Sequence, residues 1–339
     1  MKNETRLAFN AFVAQLASLN GIADATKSFT VAPSVQQTLE NKIQLSSEFL
    51  TKINMPIVVE QESEKLGLGV IGTIAGRTNT KLNPRRPRNV ADMSSGRYRC
   101  VQTNFDTAFS YEQLDMWARF PDFQTRLRNA IVKQQALDRI MIGFNGVTVA
   151  LQTDRVANPL LQDVNIGWLQ KYRTEAPQRV MNHGTKVAGK VTVGPGGDYE
   201  NLDALVFDAV NNMIEPQFRK DPDLVVVMSD DLLADKYFPL INKTNAPTEQ
   251  QALDMIVSNK RVGGKAAVTV PFFPDGTILI TKLANLSLYT QEGARRRNMR
   301  EEPDYDQVAD YQSANDAYVV EAYEAGCMIE NIQMLPQVH

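Results

Sequence analysis

The stretch from Pro121 to Gly146, PDFQTRLRNAIVKQQALDRIMIGFNG, constrains this chain most. Phe123, Leu127, Ala130, Ile131, Leu137, Ile140, Met141 and Phe144 recur at three- and four-residue steps, which predicts one long helix with an apolar side. Arg126, Arg128, Lys133, Gln134, Asp138 and Arg139 fall on the opposite face. Pro121 suits a first turn, where its missing N–H costs nothing, and Asp122 favours the positive end of the helix dipole. Gly143 and the Asn145-Gly146 pair supply the stop. The helix would be on the order of 35 Å long. Both an ordinary core helix and a spine on which other elements lie suit this segment.

The 339 residues suggest two domains, or one large domain with insertions. A net charge of −3 argues against a polycation that seeks nucleic acid as a whole. Two cysteines, Cys100 and Cys327, lie far apart in sequence, which excludes a disulfide framework and a cysteine metal site and suits a reducing compartment. No signal-peptide pattern and no apolar run long enough to span a membrane is visible, so the expectation is a soluble cytoplasmic protein.

Residues 3–20 form an amphipathic helix with Phe9, Phe12, Val13, Leu16 and Leu19 on one face, ended by Asn20-Gly21. The segment IADATKSFTVAPS then reads as a loop, and a second helix starts at Ser34, whose spacing to Gln37 suits a capping box. The first helix is therefore either a tethered element or one that packs on its own core. Residues 55–112 change character. Glu64 to Ile74 is a glycine-punctuated strand signal, and Arg97 to Tyr111 alternates with Val101, Thr103, Phe105, Thr107, Phe109 and Tyr111 on one face. Between them lies a polar segment rich in Pro and Arg. The simplest picture is a two-stranded hairpin with a basic tip, which is marginal alone and needs a partner for its apolar face. From Leu202 to about Asp304, helices and short strands alternate as an α/β unit that ends in the charged run ARRRNMREEPD. AYVVEAY and CMIENI are closing strands.

Chemistry is sparse. His339 is terminal and His183 sits in a Gly/Lys loop, so a nucleophilic triad or a zinc site has little to build on. Gly194-Pro195-Gly196-Gly197 lacks the Lys-Ser/Thr of a P-loop and the dinucleotide glycine spacing, and reads as a tight turn. No catalytic, cofactor or metal residue is assigned. The basic segment with Lys81, Arg85, Arg86, Arg88, Arg97 and Arg99 admits two readings, a nucleic-acid contact or a loop that meets an acidic patch on another chain. The absence of an interleaved aromatic platform favours the second.

Several long ordered segments then carry a resemblance: NETRLAFNAF, LDMWARFPDFQTRLRNAI, GFNGV, NPLLQDVNIGWLQKYRTEAP, DPDLVVVMSDDLLADKYFPLIN, ILITKLANLSLY and AYVVEAYEAGCMIE. Together they resemble the major capsid proteins of P2-like (Peduovirus-type) tailed phages, from the N-terminus to about residue 332. The resemblance implies an α+β chain with the Hong Kong 97-type capsid fold. Residues 1–54 would be an N-terminal arm and 55–112 the extended hairpin loop. Residues 113–200 and 306–339 would form the peripheral domain with the long spine helix, and 201–305 an α/β axial domain. It further implies hexamers and pentamers tiled into an icosahedral shell around double-stranded DNA. Contact with that DNA would lack sequence specificity, for which a mildly acidic subunit is suitable.

The same resemblance implies an internal scaffolding protein that carries a protease, a portal protein, and assembly in the bacterial host cytoplasm. About 1–29 would be removed, with processing near Phe29 and Thr30. Phe9, Phe12, Val13 and Leu16 are the expected scaffold contacts. Arg85, Arg86, Arg88, Phe105 and Phe109 are the expected inter-subunit contacts of the extended loop. The competing classes are an α/β nucleotide-binding enzyme, which would need a phosphate loop or titratable cluster, and a basic-loop nucleic-acid binder.

Overall fold

The structure is a computed structural model, and it describes residues 1–65, 69–70, 77, 91–92, 96–117, 123–241 and 260–336. The expected long helix runs from Phe123 to Asn145. Its buried side differs from the expected one. Val132, Ala136, Ile140, Ile142 and Phe144 are buried, as are Gln135 and Arg139, while Ala130 is exposed and Leu137 only half-buried. Gly143 is not a stop. It lies within the helix, where a Cβ would come within 2.2 Å of the Trp168 ring, so the glycine lets the helix Trp168–Glu175 cross in close contact.

Two sheets flank this helix system. A seven-stranded sheet has the order Phe29–Thr30, Arg296–Glu302, Gln307–Val320, Leu286–Gln291, Ile57–Val58, and the strands Val101–Asn104 and Thr107–Ser110 also pair with Gln307–Val320. That 14-residue strand is its axis. The second sheet has six strands, in the order Arg261–Val262, Lys265–Thr269, Leu224–Met228, Ile278–Lys282, Cys327–Ile329, Val180–Met181. Leu224–Met228 pairs in parallel with one neighbour and antiparallel with the other. The helix Leu202–Met213 covers it with Leu205, Val206 and Ala209, all at 0% exposure, and its first turn is capped by the Asn201 side chain accepting from the Ala204 N–H.

The division between the sheets departs from the expected 201–305 boundary. Leu286–Gln291 and Arg296–Glu302 lie inside that range yet belong to the seven-stranded sheet, whereas Val180–Met181 and Cys327–Ile329 lie outside it and complete the six-stranded one. The run ARRRNMREEPD is accordingly a strand and not the end of a unit. Within it Arg295 is 1% exposed and paired with Glu40.

The second helix spans Pro33–Leu45 with proline in its first turn and Ala32 as the N-cap, so Ser34 makes no capping box. Gly194 to Gly197 forms a tight turn, with Gly197 N–H donating to the Gly194 carbonyl. His183 is exposed. Cys100 and Cys327 are both buried and free, and burial pushes each thiol up to about 12. No described helix is long and apolar enough to cross a membrane. A second capping-box spacing, Thr248 with Gln251, which predicts a helix start ahead of Ala252, lies outside the described residues.

Candidate assembly site

The arm helix spans Asn3–Asn20 and ends on Gly21 in the left-handed conformation, where a glycine carries no Cβ penalty. It lies on its own chain. Arg6 makes a two-pronged pair with Glu301 at 2.9 and 3.1 Å, and the Tyr111 hydroxyl donates to the same carboxylate at 2.8 Å. Thr5 Oγ1 donates to Asp115 at 2.6 Å, and the Lys2 N–H to the same oxygen at 2.9 Å. These hydrogen bonds, Arg6 first for Glu301 and Thr5 first for Asp115, hold both carboxyls below their ordinary pKa. Under the helix is a largely apolar cavity of about 340 Å3, lined by Phe9 and Phe12 from the arm and by Phe109, Leu127, Ile131 and Val308 from the body. Val13 packs on Leu16, Ala17 and Ala25.

The four expected scaffold contacts therefore face their own subunit. Leu16 is buried, and Phe9, Phe12 and Val13 are half-buried. Of the two readings of this helix, packing on its own core is the one adopted. Phe29 and Thr30 are not in an open loop either: they pair antiparallel with Arg297 and Arg296 at the edge of the seven-stranded sheet.

Phe105 and Phe109 depart from the expectation of a neighbouring subunit. Phe105 is 8% exposed, its N–H donates to the Gln312 carbonyl at 2.7 Å, and its ring faces the Arg139 guanidinium. Phe109 sits opposite Val308 and lines the cavity under the arm. The alternation from Arg97 marks strands as far as Ser110, where Tyr111 opens the helix Tyr111–Trp117, and their main partner is Gln307–Val320 of the same chain. Among the described residues, Gly96–Arg99 forms a ladder with Glu62–Lys65 and Ala91–Asp92 one with Gly69–Val70. Arg85, Arg86 and Arg88 lie outside the described residues.

Beneath the arm, four charged side chains that the sequence did not show as a cluster meet in the core. Arg139 donates to Glu40 at 2.5 Å and to Asp316 at 3.0 Å, and Arg295 donates to Glu40 at 2.8 Å. Gln135 and Gln312 accept from Arg295 at 3.1 and 3.2 Å, and Thr290 donates to Asp316 at 3.1 Å. None of the four charged residues is more than 3% exposed. Burial opposes every charge here. Glu40 nonetheless stays below the ordinary carboxylate range because two guanidiniums face it, while burial outweighs Arg139 at Asp316 and leaves its pKa raised. Two cations and two anions balance, so the cluster needs no external ion. It ties the arm's second helix, the spine helix and two strands of the sheet into one body. The available signal was i, i+4 spacing: Gln36 with Glu40 and Gln135 with Arg139 sit in register with the apolar positions of their helices.

A spine helix across a long twisted sheet, a compact second sheet, and an N-terminal arm laid over the first define a subunit of the Hong Kong 97-type capsid class. The model of the phage major capsid protein P2 family matches residues 8–332, and the chain belongs to that family. It is 52% identical over 342 residues to the capsid protein of Escherichia phage P2, covering 98% of this chain and 96% of that one. It is 42% identical to the major capsid protein of Serratia phage KSP20, covering 98% and 97%. Among solved structures, a chain of the satellite phage P4 procapsid that includes the size determination (Sid) protein aligns with TM-score 0.83 at 50% identity, covering 99% of each chain. The capsid of an empty GTA particle aligns with TM-score 0.54 at 14% identity and shares the fold. The protein is a major capsid protein of a tailed phage and forms the shell of its virion.

Proposed function

We propose that this subunit builds its shell as hexamers and pentamers assembled in the host cytoplasm around an internal scaffolding protein that also carries a protease. The seven-stranded sheet with the spine helix serves as the peripheral domain, and the six-stranded sheet with Leu202–Met213 as the axial domain at capsomer centres. A portal protein occupies one vertex, and packaged double-stranded DNA is held without sequence recognition. The subunit acts by packing, not by catalysis. The arm segment of about 1–29 serves assembly and is removed afterwards near Phe29–Thr30. The loop tip with Arg85, Arg86 and Arg88 reaches a neighbouring subunit. Shell size responds to protein partners of the kind named with the P4 procapsid.

The observation that carries this reading is the near-complete alignment with a procapsid subunit, over 99% of both chains at 50% identity. Negative-stain microscopy of the protein expressed with and without its scaffold partner tests it. Uniform closed shells are expected with the partner and irregular ones without. A protein that stays monomeric at high concentration in both cases overturns the proposal.

A further inference from the structure

The tether between the arm helix and the second helix is bound to the body at Ala25 and again over residues 29–31. Phe29 and Thr30 lie opposite Arg297 and Arg296. Next to them the Val31 N–H donates to the Arg295 carbonyl at 2.9 Å, and the Met299 N–H donates to the Ala25 carbonyl at 3.2 Å. Ala25 is 0% and Val31 4% exposed. Asn20 closes the segment like a clasp: its Oδ1 accepts the Ala32 N–H at 3.2 Å while its Nδ2 donates to the Leu16 carbonyl at 2.9 Å. Upstream, Arg6 and Thr5 latch the helix to Glu301 and Asp115. Downstream, Glu40 anchors the second helix in the buried charge cluster.

A protease that binds several residues on each side of the scissile bond reads them as an extended strand, through the same N–H and C=O groups that a sheet uses. The backbone groups of Ala25, Phe29 and Val31 that are spent on the body cannot serve both. We propose that this segment is a strap that shields the subunit from premature processing, and that cleavage proceeds only from the state in which the arm has lifted. The proposal rests on the reading that the arm is removed near Phe29–Thr30, and adds an order of events. Contacts that draw the arm away come first. A protease then adds water across the freed peptide bond, leaving a carboxylate on the arm and an amine on the body.

When opening is fast relative to cleavage, the cleavage rate follows the population of the open state. Chymotrypsin, which cuts after phenylalanine, probes Phe29 in the full-length unassembled subunit, with mass spectrometry scoring the fragment that begins at Thr30. Thr30 and Arg296 are directly opposite. Because Val31 bonds to Arg295, the register makes Thr30/Arg296 a non-hydrogen-bonded pair, whose Cα atoms lie about 4.5 Å apart, within disulfide reach. In Thr30→Cys with Arg296→Cys, the oxidised form should resist cutting at Phe29 at least tenfold more than the same protein reduced. In Arg6→Ala with Asn20→Ala, cutting there should be severalfold faster than in the wild type. Equal rates for the oxidised and reduced forms, or a wild-type rate in the latch variant, overturn the strap. The processing reading fails separately, if the coat protein of mature particles begins at Met1 or at a residue remote from Thr30.

Discussion

Arg139 and Asp316, 177 residues apart in sequence, meet through paired hydrogen bonds, Nε to Oδ2 at 3.0 Å and Nη2 to Oδ1 at 3.2 Å. Arg139 is 0% and Asp316 1% exposed. Removing Asp316 leaves two buried guanidiniums, Arg139 and Arg295, facing the single carboxylate of Glu40. A buried charge left uncompensated costs about 3–5 kcal/mol, whereas replacing a buried pair by apolar side chains is often near neutral. Asp316→Ala should therefore lower subunit stability by about that amount. Arg139→Met with Asp316→Leu should cost much less, because Arg295 and Glu40 still balance each other. Denaturant titration under non-assembling conditions measures both. Equal losses for the single and double variants would show that the cluster is stabilised by packing and not by charge.

The same pair shows where sequence reading stopped. The long helix, the strands Leu224–Met228 and Ile278–Lys282, and the helix Leu202–Met213 were legible because their buried positions are apolar and periodic. The strand Gln307–Val320 was legible only at its C-terminal end, since Asp310, Gln312 and Asp316 are polar residues turned inward. Arg139 was assigned to the solvent face for the same reason. A buried ion cluster inverts the hydrophobic code wherever it crosses an element, so the faces it touches are misread while the elements themselves are not. The arm seat was illegible for a different reason: its apolar face is equally suited to a partner protein and to the subunit's own groove.

Gly143 gives a prediction from that misread face. With no room for a Cβ against Trp168, Gly143→Ala must push the ring or the helix aside. Overpacking of this sort costs about 1–3 kcal/mol despite alanine's better helix propensity. Thermal melting should show a lower Tm. An unchanged or raised Tm would mean that the crossing helix can shift freely.

Leu137 is where the two assignments of the spine face differ, and Ile140, common to both, is the reference. Ile140 is 0% exposed, and Leu137 is half-buried. A carboxylate at Ile140 would be buried without a partner, at a cost of several kcal/mol that is comparable to the whole stability of a domain. Ile140→Asp should yield no soluble folded subunit, while Leu137→Asp should yield a weakened but folded one. A Leu137→Asp variant as unfolded as Ile140→Asp, scored by circular dichroism and solubility, would restore the sequence-derived face.

Arm docking should depend on acidity. Glu301 and Asp115 both have depressed folded-state pKa values, so their contribution is present above the unfolded value and is lost as pH falls through the folded one. The arm should be docked at neutral pH and loosen below about pH 4, where ordinary carboxylates protonate. Hydrogen exchange of residues 3–20, corrected for intrinsic rate, should lose protection in that window in the wild type. Glu301→Gln should have lower protection already at neutral pH. If wild-type protection is flat from pH 7 to pH 3.5, the polar latch contributes nothing and the apolar groove alone holds the arm.

The basic loop tip separates the shell contact from a nucleic-acid contact. Arg85, Arg86 and Arg88 stand together in sequence, opposed within the basic segment only by Asp92, between the paired strands Gly69–Val70 and Ala91–Asp92. Exposed ion pairs are worth only about 0–1 kcal/mol each. A shell repeats every contact many times, however, so a small term per subunit decides whether it closes. Replacing Arg85, Arg86 and Arg88 together by Glu should leave the subunit folded, because the cores of both sheets are elsewhere. Shell yield with the scaffold should fall, and the defect should vary with salt, since screening shortens the reach of exposed charges to about 8–10 Å at physiological ionic strength. A variant that assembles normally but loses affinity for free DNA would assign the tip to nucleic acid instead.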